Sequence, residues 1–270
     1  MDPTIVQTLL NDRSSGLAEK IGREIGKYTV ALLSVSGNGQ SEKLRFCGSG
    51  SLVSVGETAY ILTAYHVWEM FQGSVGIGLT LNEEYVDHRF FIDLKLVLPF
   101  GPKQIKDWDN PRGPDMVLLR IPPQYLGRLK EEKLFYSLTA EAPNLPNVDS
   151  LDVWILIGSP SEQGKIVPKH ASLTINAIYA TIRSEGTQEE LDYVDLDMDT
   201  TVPGIPKKFF GMSGGGFWII SIFGQSESEI KWEPQLVGMA CWQLPAVVKG
   251  IARVRCLGGK SIRSLIPYVQ

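Results

Sequence analysis

The chain has 270 residues, 43% of them apolar and 21% charged, which is enough length to bury one large β domain or two smaller lobes. Its 26 basic and 30 acidic side chains leave a net charge of −4, too balanced to imply a nucleic-acid or membrane partner, and dense Lys/Arg runs are absent. No apolar run reaches the roughly 18 residues that a membrane span requires.

The first predicted element occupies residues 1–27. Ile5, Leu9, Leu10, Leu17, Ile21 and Ile25 recur there at near-helical spacing, with charged residues between them. One or two short amphipathic helices are expected, weakened by Gly16, Gly22 and Gly26. Packing onto the body of the protein is favoured over meeting a partner. Met1-Asp2-Pro3-Thr4 shows no basic segment followed by an apolar one, so no export signal is read and a cytoplasmic protein is expected.

Strand signals begin at Tyr28. Runs at 28–35, 44–55, 59–63, 75–81, 90–98 and 116–121 make a first unit over 28–125. Pro122, Pro123, Pro143 and Pro146 then mark a connection, with the linker placed at 126–150. A second set at 153–157, 173–182, 191–197, 215–223, 236–242 and 251–255 makes a unit over 151–258. The closing segment 259–270 reads as a short helix. The fold class is therefore all-β, two packed six-stranded antiparallel β-barrels with short N-terminal and C-terminal helices. Gln225-Ser226-Glu227-Ser228-Glu229 reads as an exposed loop inserted in the second unit.

Cys47, Cys241 and Cys256 are few, odd in number and set in strand-like runs, which predicts buried free thiols. With His66, His88 and His170 they show no metal-ligand spacing, and no glycine-rich phosphate loop is present. No metal or cofactor is expected.

Three short motifs carry chemistry. Gly211-Met212-Ser213-Gly214-Gly215-Gly216 sets one serine among glycines, which allow positive φ and close approach by another chain. A serine in such a turn presents its hydroxyl beside backbone N–H groups, as an acyl-transfer nucleophile requires, although a glycine-rich turn is also a common loop. Gly48-Ser49-Gly50-Ser51 leads to Leu62-Thr63-Ala64-Tyr65-His66, and Gly113-Pro114-Asp115 precedes the apolar run from Met116. The chain order His66, Asp115, Ser213 differs from the subtilisin and α/β-hydrolase orders of the same triad. His88 and His170 read as surface residues, and Asp107 and Asp109 as loop acids that compete less well than Asp115.

In this order and spacing the blocks resemble the trypsin-like (chymotrypsin-fold) serine proteases over residues from about 28 to 258, an intracellular, bacterial-type member being the nearest description. The resemblance implies that Ser213 is the nucleophile, His66 its base and Asp115 the acid that orients His66. It implies an oxyanion hole from the backbone N–H groups of Gly211 and Ser213, in a cleft between the lobes. Met212 stands where secreted digestive members carry the aspartate that pairs with a newly cut N-terminus, so zymogen activation of that kind is not expected. Gly216 replaces a frequent proline and leaves its strand more flexible, and Tyr65 replaces a small residue beside the histidine. By the family's count Lys207 or Lys208 lies at the base of the specificity pocket, favouring an acidic side chain before the cut bond; the plainer reading is that these lysines cap an exposed loop. Val237-Gly238-Met239-Ala240-Cys241 is the expected wall that pairs with substrate backbone.

The expected function is thus a serine endopeptidase acting on a protein or peptide substrate, with a regulatory protein partner in place of zymogen cleavage. The alternatives are a catalytically silent peptide-binding module on the same fold and an esterase acting on small acyl substrates.

Overall fold

The computed structural model describes residues 3–37, 41–81, 90–102, 114–140, 150–167, 170–188, 190–224, 229–245 and 248–270. His88, Asp107, Asp109 and the 225–228 part of the expected loop insertion lie outside them. The chain is mostly β, in antiparallel sheets.

The first large sheet contains β1 (Thr29–Ser36), β2 (Lys43–Val55), β3 (Thr58–Thr63), β4 (Gly76–Leu79), β5 (Phe90–Asp93), β6 (Leu98–Phe100) and β7 (Val117–Arg120), in the order β5-β4-β1-β2-β3-β7-β6. β1 is buried along almost its whole length, so both of its faces are apolar, with Val30 and Leu32 in the main core and Ala31 and Leu33 in a smaller cluster. β2 starts exposed and becomes continuously buried from Cys47, where it passes beneath the second lobe. Asp93, whose carboxylate accepts the Lys95 N–H, starts a single tight turn at Leu94–Leu96 that splits the expected strand 90–98 into β5 and β6. The two halves pair with opposite edges of the sheet, β5 with β4 and β6 with β7.

The second large sheet contains β9 (Leu151–Gly158), β12 (Asn176–Tyr179), β13 (Thr181–Gln188), β14 (Leu191–Asp199), β15 (Gly216–Phe223), β16 (Lys231–Leu244) and β17 (Ile251–Gly258), in the order β12-β9-β15-β16-β17-β14-β13. Here too one run reaches both edges: β12 and β13 are separated only by Ala180, whose N–H donates to Trp154 O at 3.0 Å, and they pair with β9 and β14 respectively. A separate two-stranded ribbon joins β10 (Lys165–Val167) to β11 (His170–Ser172). The count is thus eight strands and seven, where two sets of six were expected. Two kinked strands are each counted twice, and β8 (Tyr136–Ser137) adds to β2 from the linker.

Two helices, α1 (Pro3–Asn11) and α2 (Leu17–Gly26), cover one side. Val6, Leu10, Leu17, Ile21 and Ile25 are buried in the main core, so the packing expectation for this segment holds and Ile5 is the exposed member. The 126–150 connection is also structured at its start, through α4 (Leu126–Glu132). Lys133 follows, buried, its ammonium donating to Thr29 O at 2.9 Å and Gly26 O at 3.2 Å. Tyr136 and Tyr28 then stand against Trp218 at ring-centroid distances of 5.3 and 5.2 Å, which ties the linker and the first lobe to the second. Cys47, Cys241 and Cys256 are free and buried. The C-terminal helix is short, α5 at Gly259–Arg263. Among the described residues no helix is long and apolar enough to cross a membrane.

Candidate functional site

Strand pairing brings His66 and Asp115 together. Thr63 at the end of β3 is opposite Val117 at the start of β7. Three residues past Thr63 and two before Val117 therefore lie at the same end of the pair. His66 sits in the single-turn helix α3 (Tyr65–Glu69), and its N–H donates to one Asp115 oxygen at 3.0 Å while Nδ1 stands 2.6 Å from the other. An ionised carboxylate only accepts, so the Nδ1 position carries the proton and the lone pair is left on Nε2. Asp115 is 5% exposed, which shields the pair from competing water.

Ser213 lies in the turn before β15. Gly211 has φ +92° and Gly214 φ +87°, values that only glycine adopts readily. A Cβ at Gly214 would collide with Ser49 O and Thr63 Oγ1, and one at Gly211 with Phe46 and Ser159 O. Space and backbone conformation agree on glycine at both positions. Met212 is buried in an apolar cluster with Leu156, Phe217 and Ala240, with no acid in that set.

His66, Ser213 and Gly211 line one cleft of about 750 Å³, together with Phe46, Phe209, Phe210, Trp242 and Lys208. The Ser213 hydroxyl donates to Cys241 O at 3.0 Å. No hydrogen bond from the N–H of Gly211 or of Ser213 is present among the described residues.

Of the residues expected as a substrate wall, only Cys241 lines the cleft. Gly238–Ala240 is committed on both sides: Gly238 pairs with Phe217 and Gly258, Met239 with Gly216 and Leu257, and Ala240 pairs with Cys256 while its N–H donates to Gly215 O; Val237 is the extra residue of a bulge against β15. These residues do not line the cleft. Beyond them the β15 ladder has ended, whereas Trp242, Gln243 and Leu244 still pair with β17 on their other side. Cys241 is the extra residue of a β-bulge between Ala240 and Trp242, which turns the strand at this point. The segment facing the cleft is therefore 241–245. Alternation of small and large residues marked the strand, but a one-residue bulge has no sequence signal in it.

Lys208 lines the cleft, while Lys207 is exposed outside it with its backbone N–H on Glu162 Oε1 at 2.5 Å. Gln243 Oε1 accepts the Phe209 N–H at 2.9 Å and so spans the cleft between the two walls. Tyr65 packs on the main core and does not line the cleft. Gly216 makes a close approach to the Trp218 indole that a larger residue would block.

No protein-family model matches the chain, and no curated protein matches it. A solved structure with some likeness was described under the statement that aromatic interactions drive the coupled folding and binding of the intrinsically disordered Sesbania mosaic virus VPg protein. It is 12% identical, covers 86% of this chain and 92% of its own, and has a TM-score of 0.42. A likeness of that size carries no conclusion about activity.

Sequence reasoning also passed over Ser49 and Ser161, which touch the Ser213 turn. Ser49 is fully buried; its hydroxyl donates to Gly211 O at 2.7 Å and its N–H to Ser213 O at 2.9 Å. Ser161 N–H donates to Phe210 O at 2.7 Å. The available signal was Gly48-Ser49-Gly50-Ser51, four small residues in an otherwise apolar strand, which mark a place where another chain comes close.

Proposed function

We propose that the chain is a trypsin-like serine endopeptidase, built as two six-stranded antiparallel barrels, that cleaves a protein substrate through an acyl-enzyme on Ser213. The observation that carries this reading is His66, held by Asp115 at 2.6 Å, lining the same cleft as Ser213 and Gly211. The barrel reading rests on the two kinked runs, 90–100 and 176–188, each of which pairs with both edges of its own sheet.

Attack would begin with the Ser213 hydroxyl passing its proton to Nε2 of His66 as Oγ bonds to the substrate carbonyl carbon. Asp115 stabilises the imidazolium through Nδ1–H, and the N–H groups of Gly211 and Ser213 face the oxyanion. His66 then protonates the leaving amine, and water repeats the sequence to release the acid. Substrate backbone would add to the open edge at 242–244, and Lys208 favours an acidic group nearby. With Met212 buried among apolar side chains, control by a regulatory partner is proposed in place of N-terminal cleavage.

One observation favours the second reading, a peptide-binding module without catalysis: the Ser213 hydroxyl donates to Cys241 O. Incubation with a peptide library, read by mass spectrometry, separates the two. Cleavage by the wild type and none by Ser213→Ala supports the peptidase. Turnover of small esters alone indicates an esterase, and peptide retention without cleavage indicates the binding module.

A further inference from the structure

Every carbonyl of the turn from Phe209 to Ser213 is engaged. Phe209 O accepts from Met212 N–H at 3.0 Å, Phe210 O from Ser161 N–H at 2.7 Å, and Met212 O from Gly215 N–H at 2.8 Å. Gly211 O and Ser213 O are both held by Ser49, through its hydroxyl at 2.7 Å and its N–H at 2.9 Å. In a trans peptide the N–H points away from the preceding C=O. Holding Phe210 O therefore aims the Gly211 N–H, and holding Met212 O aims the Ser213 N–H. Gly211 is the weak point of this arrangement, because glycine can rotate out of its positive φ at little steric cost. Its own C=O is the handle that prevents the rotation, and among the described residues the group on that handle is the Ser49 hydroxyl.

The Ser49 hydroxyl is itself fixed. It accepts the Ser159 N–H at 2.8 Å, which leaves its proton for Gly211 O, and Ser49 O accepts from Thr63 Oγ1 at 2.7 Å. One side chain of the first lobe thus joins three backbone segments: its own strand, the start of the loop after β9 and the nucleophile turn. Since Ser49 is fully buried, water does not compete for these bonds.

We propose that Ser49 is the positioning residue for the oxyanion site, holding Gly211 in the conformation that presents its N–H to the developing charge. This rests on the serine-hydrolase reading above. Ser49 does not touch substrate; its action passes through Gly211.

The test uses the full chain and a fluorophosphonate probe, whose phosphoryl oxygen needs the same donors, with labelling rates measured across probe concentration. Ser49→Ala is expected to lower the maximal labelling rate about 30-fold while the half-saturating concentration stays within about twofold. Ser49→Cys, which keeps a weaker donor, is expected to recover part of that loss. Thermal midpoints of both variants are read alongside, and Ser49→Cys is compared with wild type in its place should Ser49→Ala fail to fold. Wild-type labelling with an equal rate in the variant would overturn the Ser49 role and leave the hydrolase reading intact. A loss that only tracks the unfolded fraction would also overturn it. A wild-type chain that never labels would overturn both.

Discussion

Asp115 grips His66 through two separate bonds, one to the ring and one to the backbone N–H. Replacing one oxygen by an amide presents a donor where only an acceptor serves, and it favours the wrong imidazole tautomer. Asp115→Asn is therefore expected to reduce Ser213 labelling by a factor on the order of 10⁴. Gly214→Ala places a methyl against Ser49 O at a φ of +87° and is expected to cost about 3 kcal/mol or more, read as a fall in the denaturant midpoint. The residues named by the sequence for this site, His66, Asp115 and Ser213, are those whose chemistry is carried by a side chain in a recognisable motif. Ser161 and the Cys241 carbonyl were not legible because they act through backbone groups from distant parts of the chain. Ser49 acts through its hydroxyl, and its Gly-Ser-Gly-Ser strand signals that another chain comes close without saying which carbonyl the hydroxyl holds. Lys207 and Lys208 differ by one position and only one faces the cleft, a distinction that depends on how the loop turns.

At the scale of elements, the strands were legible where apolar periodicity was unbroken, as in β1 and β15, and misread where a kink or bulge intervened. The 94–96 turn splits one expected strand into two, and the Cys241 bulge shifts the β16–β17 pairing by one residue, so that of the expected wall 237–241 only Cys241 lines the cleft. The linker was read from its prolines, which hid the helix α4 and the buried Lys133 that follows it. Lys133 there donates to Gly26 O and Thr29 O, and Lys133→Ala would leave both carbonyls without that donor. A loss of about 1–3 kcal/mol in chemical denaturation is expected. Strands β14 and β17 are joined by Asp195–Arg255 and Asp197–Arg253, each bidentate. The hydrogen-bonded Arg253 guanidinium holds the Asp197 carboxyl below its ordinary range. Its pKa is lower folded than unfolded, so the pair stabilises the fold at neutral pH and the contribution is lost as pH falls through the acidic range. The pair is partly solvated, so the effect is modest: Arg253→Met is expected to flatten the stability slope below the ordinary carboxylate pKa, and an unchanged slope would remove this pair from the account.

For the molecule as a whole, the main core runs from Val6 in the N-terminal helix to Leu265 near the C-terminus and includes Trp218 and Ile220 of the second lobe. A core shared in this way predicts one cooperative unfolding transition, with Trp218→Ala lowering stability by about 3–5 kcal/mol, and two separate transitions would contradict it. The shared core also sets the cleft, since the Ser213 turn of one lobe rests on β2 of the other, and the site is complete only when both are docked. The measurement that bears most directly on the central claim is fluorophosphonate labelling read by intact mass, wild type beside Ser213→Ala. The account predicts one adduct on the wild type, mapped to the peptide containing Ser213, and none on the variant. An unlabelled wild type, or an adduct that persists in Ser213→Ala, would contradict it.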